Sequence, residues 1–282
     1  MNLGMGLGLA NQRQGITYDT DAQTYFDRVE TASGTVVDKA LTNARIVSLK
    51  SIIGLANILD GYLSCAGKIK DGADAVSKDF SIGATNPVDV VQATGSLQPL
   101  YTANGLVYAD DRLDSPAVSA FGDKFNGNRY ISGSAWLYPT TLATGTNLNV
   151  IIITFIYATS NGFYITLTDT GKVKIAARSA GADSLQSLIS TESISINNWH
   201  HLAFTVDFTA KTINIWINGS NKNIGSLSFS SDTYTQGNPT SVGYIGNYTG
   251  ANQDFAGTIE GLIPMKIALD QTKVNALYAL GR

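Results

Sequence analysis

Apolar residues near the start of the chain recur at helical spacing. Four of them fall at i, i+3, i+4 and i+7: Ala22, Tyr25, Phe26 and Val29. This spacing places side chains on one face of an α-helix. Thr20 and Gln23 form a capping-box pattern ahead of the run, and the Ser33-Gly34 pair supplies a stop signal. The pattern therefore predicts a first helix that begins near Thr20 and ends at this pair.

A second helix is predicted to begin near Thr35. Its apolar face would contain five residues: Val37, Ala40, Leu41, Ala44 and Val47. Lys39 and Arg45 fall off this face, and a shorter apolar segment follows at residues 52–63. These pieces form a helical region at residues 17–67, which is near the lower size limit for independent folding. We therefore expect this region to pack against another part of the protein.

From about residue 68 onward, apolar positions alternate with polar ones, which is the pattern of half-buried β-strands. Phe163, Ile165 and Leu167 alternate in this way, and a DTGK turn then leads into the next alternating run, as in a β-hairpin. Segments 199–206 and 212–217 are expected to pair in the same manner. The pattern predicts a mainly β protein.

These changes of periodicity divide the chain into four parts. They are an extended N-terminal arm at 1–16, a helical anchoring region at 17–67, a linker leading into the first strand at 68–95, and a β-sandwich at 96–282. The sandwich is expected to end in a helix that Asp270 caps and Gly281 closes.

Composition and charge narrow the class of protein. Charged residues are 15% of the chain, below the roughly 25% of an ordinary soluble domain, and 28 glycines favour many turns. A formal net charge of −3 disfavours nucleic-acid binding. No apolar run approaches the roughly 18 residues of a membrane helix, and no basic segment marks a signal peptide. Cys65 has no partner for an internal disulfide. We expect assembly in a cytoplasm without membrane insertion.

Short aromatic and glycine-containing motifs follow one another along the predicted sandwich. In order they are FNG at 125–127, YI at 130–131, SAWLYP at 134–139, GFY at 162–164, GKV at 171–173, WHHLAF at 199–204, IWING at 215–219, YIG at 244–246, FAGTIE at 255–260, ALD at 268–270 and LYALG at 277–281. The series resembles the laminin-G-like, concanavalin-A-like lectin/glucanase superfamily. The resemblance implies a two-sheet antiparallel jelly-roll sandwich, preceded here by the helical region and the arm. One position departs from the family pattern, since Glu260 stands where an Asp is usual.

A second resemblance concerns the leading segment. Residues 18–25 (YDTDAQTY), with the helices and the glycine-rich arm, are similar to the front of tailed-bacteriophage virion proteins that carry this sandwich at their C-terminus. This implies a non-enzymatic virion protein of head or tail, of decoration or fibre type, whose sandwich mediates adhesion or protein–protein contact. A cellular glycan-binding module is one alternative. A glycoside hydrolase is another, and a paired acid with one raised pKa would support it.

Candidate catalytic residues are scarce in this chain. Its only glutamates are Glu30, Glu192 and Glu260, so the ExDxE arrangement of retaining hydrolases is absent. The only histidines, His200 and His201, are neighbours on a predicted strand and would point to opposite faces. We therefore expect one buried and one exposed histidine, no catalytic site and no required cofactor.

Calcium is the ion that the sequence favours most, although only as a structural ion. Lectin-like sandwiches often bind it on loops through several oxygen ligands. The candidate ligands form two groups along the chain: Asp110, Asp111 and Asp114 in one loop, and Asp254 with Glu260 near another. Solvated loop acids and turn formers are the simpler interpretation of the same residues.

A glycan site requires aromatic faces for sugar rings and nearby polar groups. One loop combines both kinds of side chain: Tyr244, Asn247, Tyr248, Asn252 and Gln253. Such residues are also common in ordinary β loops. Trp136, Trp199 and Trp216 fall on predicted strands and are expected to pack in the core or on the sheet.

The arm alternates large apolar residues with glycine. Its apolar positions are Leu3, Met5, Leu7 and Leu9. In an extended conformation these side chains share one face, which suits addition to the sheet edge of a neighbouring protein. We expect the arm and the helices to contact other virion proteins, the assembled protein to be a homo-oligomer in the virion, and a host-surface glycan to be a further partner.

Overall fold

The computed structural model describes residues 16–83, 86–115, 123–142, 149–154, 162–180, 183–235, 243–247 and 254–282. Within them lie helices α1 (Thr20–Thr31), α2 (Lys39–Ile53) and α3 (Gln271–Ala279). The strands of the same residues are β1 (Thr35–Val36), β2 (Gly67–Asp71), β3 (Ala75–Asp79), β4 (Val90–Val91), β5 (Leu100–Thr102), β6 (Gly105–Tyr108), β7 (Leu113–Asp114), β8 (Tyr130–Pro139), β9 (Asn149–Thr154), β10 (Phe163–Leu167), β11 (Lys172–Ala177), β12 (Gln186–Ser193), β13 (His200–Asp207), β14 (Thr212–Ile217), β15 (Ser220–Ser226), β16 (Tyr244–Ile245) and β17 (Gly257–Met265). None of the described helices is long and apolar enough to cross a bilayer.

The strands form two antiparallel sheets. Sheet A has the order β15-β14-β13-β8-β17-β6-β5, and sheet B has the order β12-β11-β10-β9-β16-β7-β4-β3-β2-β1. A single pairing of Ala75 with Leu100 joins the two at one edge. The predicted pairs are present, with Ile165 opposite Ile175 and Val206 opposite Ile213. The predicted mainly β, two-sheet sandwich is confirmed.

The core between the sheets consists of the inward-facing residues of alternating strands. Leu137 in β8, Ile165 in β10 and Phe204 in β13 belong to this buried cluster. Because side chains alternate across a strand, the neighbouring positions of β8 and β13 face outward from sheet A. A second cluster covers that outer face and includes residues of α1, α2 and α3.

Helix α1 buries the face that its spacing predicts. Ala22, Phe26 and Val29 are fully buried and Tyr25 nearly so. The cap differs from the prediction, because Asp19 rather than Thr20 is the N-cap residue, and its carboxylate accepts a hydrogen bond from the Asp21 amide at 3.0 Å. A carboxylate at this position also complements the positive end of the helix dipole.

Helix α2 buries a different face from the predicted one. It begins at Lys39 because residues 35–36 instead form β1 beside β2. Its buried residues are Thr42, Ile46, Leu49 and Ile53, whereas Val37, Leu41 and Val47 are 38–42% exposed. The predicted apolar face was therefore wrong. Both faces of α2 carry apolar residues, so periodicity alone could not identify the one that meets the sheet.

The helical region and the sandwich share one hydrophobic cluster. Phe26 and Leu49 lie in the same cluster as Trp216, Ile263 and Met265 of sheet A. Residues from the predicted linker also take part in the fold, since β2, β3 and β4 are strands of sheet B. Residues from the helical region, the linker and the sandwich therefore pack together in the described part of the chain.

Candidate functional site

Two loops meet at one end of the sandwich because β7 and β16 pair. Tyr244 lies opposite Asp114 and Ile245 opposite Leu113. This pairing brings the segment that precedes β7, with Asp110 and Asp111, next to the segment that follows β16, with Asn247 and Asp254. We call these four residues the acidic edge.

Tight backbone geometry holds the acidic edge together. Gly246 has φ 90°, and a Cβ there would lie 2.1 Å from the Tyr108 ring, so only glycine fits. The next residue, Asn247, donates a hydrogen bond from Nδ2 to the carbonyl oxygen of Asp110 at 3.2 Å. The Phe255 amide donates to the Gly246 carbonyl at 2.7 Å, which closes the loop beside Asp254.

The carboxyl group of Asp110, on one loop, perturbs that of Asp254, on the other. Burial, followed by the neighbouring carboxyl group of Asp110, raises the pKa of Asp254 to about 7. The Asn247 side chain opposes this rise, and the charge of Asp111 adds to it. The carboxylate of Asp111 itself turns back and accepts a hydrogen bond from the Ala109 amide at 3.0 Å. The acidic edge therefore concentrates negative charge without a neutralising cation from the described residues.

Two buried oxygens of the acidic edge lack donors. Neither Asn247 Oδ1 nor Asp254 Oδ1 receives a hydrogen bond in the described part of the chain. A buried acceptor without a donor is costly and calls for an explanation such as a bound ion. Two carboxylates and an amide oxygen are ligand types that Ca²⁺ prefers. Among the described residues, no group of three His, Cys, Asp or Glu side chains is placed to hold a metal ion.

The other predicted calcium ligands lie elsewhere. Asp114 accepts a hydrogen bond from Arg112 Nε at 2.9 Å, and the Arg112 guanidinium lies 5.5 Å from the centre of the Tyr244 ring. Glu260 is buried on β17, and its Oε2 accepts a hydrogen bond from the Ser64 amide at 2.8 Å. The structure therefore groups the predicted calcium ligands differently from the sequence analysis. Asp254 lies near Asp110 and Asp111 and not near Glu260.

Several predicted site residues lie outside the described residues. In the glycan loop these are Tyr248, Asn252 and Gln253, and in the arm they are Leu3, Met5, Leu7 and Leu9. Tyr244 and Asn247 are the two members of the predicted glycan loop that the structure places, and both lie next to the acidic edge or in it.

The tryptophans divide into buried and half-buried ones. Trp216 is buried, and its Nε1 donates to Gln271 Oε1 at 3.2 Å. Trp136 donates to the Gly281 carbonyl at 3.1 Å and stacks on Tyr278 at 5.5 Å. Trp199 is half-buried and has Tyr138 5.3 Å away. Sequence reasoning did not single out this last pair, because only strand pairing shows that the two rings are neighbours.

The histidines match the expected environments only in part, because His201 is buried but His200 is half-buried rather than exposed. His201 is 1% exposed, with Nε2 3.3 Å from Ser134 Oγ, whereas His200 is half-buried. Burial lowers the pKa of His201 to about 4. This histidine is therefore a neutral packing residue at physiological pH.

We expect His201 to make the protein acid-sensitive. A folded-state pKa near 4 and an unfolded value near 6.5 mean that only the unfolded state takes up a proton between these pH values. Stability is unaffected above pH 6.5 and falls by about 3 kcal/mol as the pH drops toward 4. In urea titrations, His201→Gln should lose less stability than wild type between pH 7 and pH 4.5. His200→Gln is the control, and an equal effect of both substitutions would contradict the assignment.

A family model described as the concanavalin A-like lectin/glucanases superfamily matches residues 110–275. No curated protein matches the chain significantly. The match includes the acidic edge and most of sheet A.

Solved structures with the same fold include three binding or catalytic proteins. The receptor-binding domain of botulinum neurotoxin D has 15% identity and a TM-score of 0.56, with 80% of this chain and 53% of that chain covered. The binding domain of Paraclostridial mosquitocidal protein 1 has 14% identity and a TM-score of 0.57, with 79% and 52% covered. A Trypanosoma rangeli sialidase has 12% identity and a TM-score of 0.54, with 85% and 39% covered. The chain thus spans about half or less of each of these proteins, and the likeness shows the fold.

Proposed function

The chain belongs to the concanavalin A-like lectin/glucanases superfamily, and from this premise we propose that it is a non-enzymatic binding protein that holds a glycan at its acidic edge with the help of calcium. A fold alone does not define a function. The proposal therefore rests on the residues of the edge.

The observation that carries the proposal is the pair of donor-free buried oxygens, Asn247 Oδ1 and Asp254 Oδ1, beside the carboxylate of Asp110. Asp110, Asp254 and Asn247 would hold Ca²⁺. The bound ion would supply positive charge between two carboxyl groups and open positions for sugar hydroxyls. Tyr244, on β16 immediately before this segment, would provide an apolar surface for the sugar ring.

We expect calcium to stabilise the protein. A single site that binds only the folded state adds about 2.7 kcal/mol when free calcium is 100 times its dissociation constant. Differential scanning fluorimetry with CaCl₂ and with EDTA should show a rise in Tm for wild type. The rise should disappear in Asn247→Ala and Asp254→Ala, because each removes a ligand.

Asp114→Asn is the matched control for this experiment. It removes one negative charge near the edge but from a carboxylate that Arg112 already holds. Its calcium-induced rise in Tm should equal that of wild type. A wild-type protein whose Tm does not respond to millimolar calcium would contradict the calcium part of the proposal.

We also propose that this binding protein is a bacteriophage virion component, of head or tail, decoration or fibre type. Support comes from the resemblance of residues 18–25 to the front of such proteins, and the arm and the helices are its proposed contacts with other virion proteins. A homo-oligomer would place several copies of the edge on one particle and raise avidity for a host-surface glycan. Mass spectrometry of purified particles from the source tests this assignment, and absence of the protein from them would overturn it.

One observation favours a second candidate function, a glycoside hydrolase. Asp110 and Asp254 are neighbouring acids, and the pKa of Asp254 is raised to about 7. In these enzymes one carboxyl group of such a pair stays protonated and acts as the general acid, while the other is ionised and acts as the base or nucleophile. Release of reducing sugars that Asp254→Asn abolishes would establish this function in place of simple binding.

A further inference from the structure

Helix α2 has an outward face of small and apolar residues. Six residues form this face, which lies opposite the buried residues of the helix: Ala40, Leu41, Ala44, Val47, Ser48 and Ser51. Leu41 and Val47 are each 42% exposed. The two alanines and Ser51 are exposed, and Ser48 is half-buried. We call these six residues the α2 outer face.

The charged residues of α2 lie beside this face and contact other parts of the same chain. Lys39 and Lys50 form ion pairs with acids of α1, at 2.5 and 2.6 Å. Arg45 donates to the Gly281 carbonyl at 3.2 Å. Helix α2 has no other charged residue. The α2 outer face is therefore uncharged and its charged neighbours have partners, so a second copy of the same face meets no unpaired like charge.

Helix α1 provides a comparison within the same protein. Its outward positions include Gln23, Thr24, Asp27 and Glu30, which are all polar and exposed. This is the usual arrangement of a surface helix, with an apolar face toward the core and polar residues toward water. A helix with apolar residues on both faces is usually buried on both. The contrast with α1 indicates that a partner covers the α2 outer face.

The order of residues along the α2 outer face is self-complementary. A two-fold axis beside Ala44 makes the α2 helices of two copies antiparallel and places Ala44 against its own equivalent. The axis also brings Leu41 opposite Val47, because they lie three residues before and after Ala44. Ala40 and Ser48 become opposite for the same reason, so small residues alternate with bulky ones along the contact. Small residues at the centre allow two helices to approach to about 8 Å.

We propose that the α2 outer face packs antiparallel against the same face of a second copy of the chain. This contact rests on the proposed function only for the homo-oligomer, whose interface it specifies, and it depends neither on the acidic edge nor on calcium. One helix pair is a small interface, so the dimer is weak in dilute solution. Several copies held close together on one particle would favour it.

Sedimentation velocity of the full chain in EDTA tests the proposal over concentrations from about 5 µM to about 500 µM, a range that covers weak association. Wild type should change from monomer to dimer. Leu41→Glu should weaken association by roughly ten-fold or more, because the carboxylate would enter an apolar contact. Its thermal unfolding should match wild type, since Leu41 is exposed in the monomer. Ile224→Glu, at a 63% exposed position of β15, is the matched control and should dimerise like wild type.

Two further variants test the antiparallel arrangement. Leu41→Glu combined with Val47→Lys should dimerise again, because the introduced carboxylate of one copy lies opposite the introduced ammonium of the other. Ala44→Cys should form an intermolecular disulfide in copper phenanthroline, because position 44 meets its own equivalent at the axis. Ala210→Cys, at an exposed alanine between β13 and β14, is the control and should stay monomeric. Cys65 is 5% exposed and should not react.

Each result either supports the contact or overturns it. A wild-type protein that stays monomeric at the highest concentration would overturn it and leave the face to a different protein. A dimer that Leu41→Glu leaves intact would assign association to another surface. Failure of Ala44→Cys to form the disulfide would overturn the antiparallel arrangement. Because EDTA is present throughout, a monomer that still responds to added calcium would overturn this proposal alone and leave the acidic edge unaffected.

Discussion

A fragment of residues 96–282 is expected to show no cooperative unfolding transition. The fragment retains the segment predicted as the sandwich but loses α1, α2 and four strands of sheet B. Its outer face would expose Trp216, Ile263 and Met265, which the helices now cover. Burial of a large apolar side chain contributes about 1.5–3 kcal/mol, and a whole domain is stable by only about 5–15 kcal/mol. The loss of this cluster should therefore unfold the fragment.

Circular dichroism during thermal and urea denaturation measures this outcome. The control is a chain of residues 16–282, which keeps every described residue and should unfold in one cooperative step. A single sharp transition in the 96–282 fragment would show that the sandwich folds alone, and would restore the boundary that periodicity suggests.

Replacement of Lys68 by methionine is expected to cost about 3–5 kcal/mol, because it leaves buried acids without their cation. Lys68 Nζ lies 2.7 Å from Asp79 Oδ1 and donates to the Leu63 carbonyl at 2.9 Å, and both charged residues are at most 2% exposed. Burial raises the pKa of Asp79 and of Glu260, and Lys68 opposes both rises. Urea denaturation at pH 7 measures the change in the free energy of unfolding.

Two further variants test the cause of this decrease in the free energy of unfolding. Lys68→Met with Asp79→Leu should recover part of the lost stability, since it removes both members of the buried pair and leaves only Glu260 without the cation. Lys222→Met breaks the ion pair with Glu192, which is 62% exposed, and should change stability by only about 0.5 kcal/mol. If Lys68→Met costs no more than Lys222→Met, the buried ion pair does not contribute to stability as expected.

Some parts of the fold could be predicted because their causes are local. The alternation of Phe163, Ile165 and Leu167 indicates a strand with one face toward the core, and the structure places these residues there. The spacing of Tyr25 and Phe26 likewise identifies the buried face of α1. Both follow from the side-chain period of a strand or a helix, which neighbouring residues alone determine.

The buried face of α2 could not be predicted from the local sequence. Leu41 and Ile46 are both apolar and both sit on helical periods, yet only Ile46 is buried. The choice depends on how α2 meets sheet A, and sheet A is built from strands far along the chain. The motif series of the sandwich was sufficient for the superfamily but contains no information on this contact.

The sequence by itself determined the strands, the first helix and the superfamily. It also determined which acidic and aromatic residues lie in the loops. Only the tertiary structure decided which of these residues meet. It joins Asp110 to Asp254 through the pairing of β7 with β16, and it aligns Trp199 with Tyr138 through the pairing of β13 with β8. Local periods are properties of short segments, whereas sites depend on the register between strands that are distant in the chain.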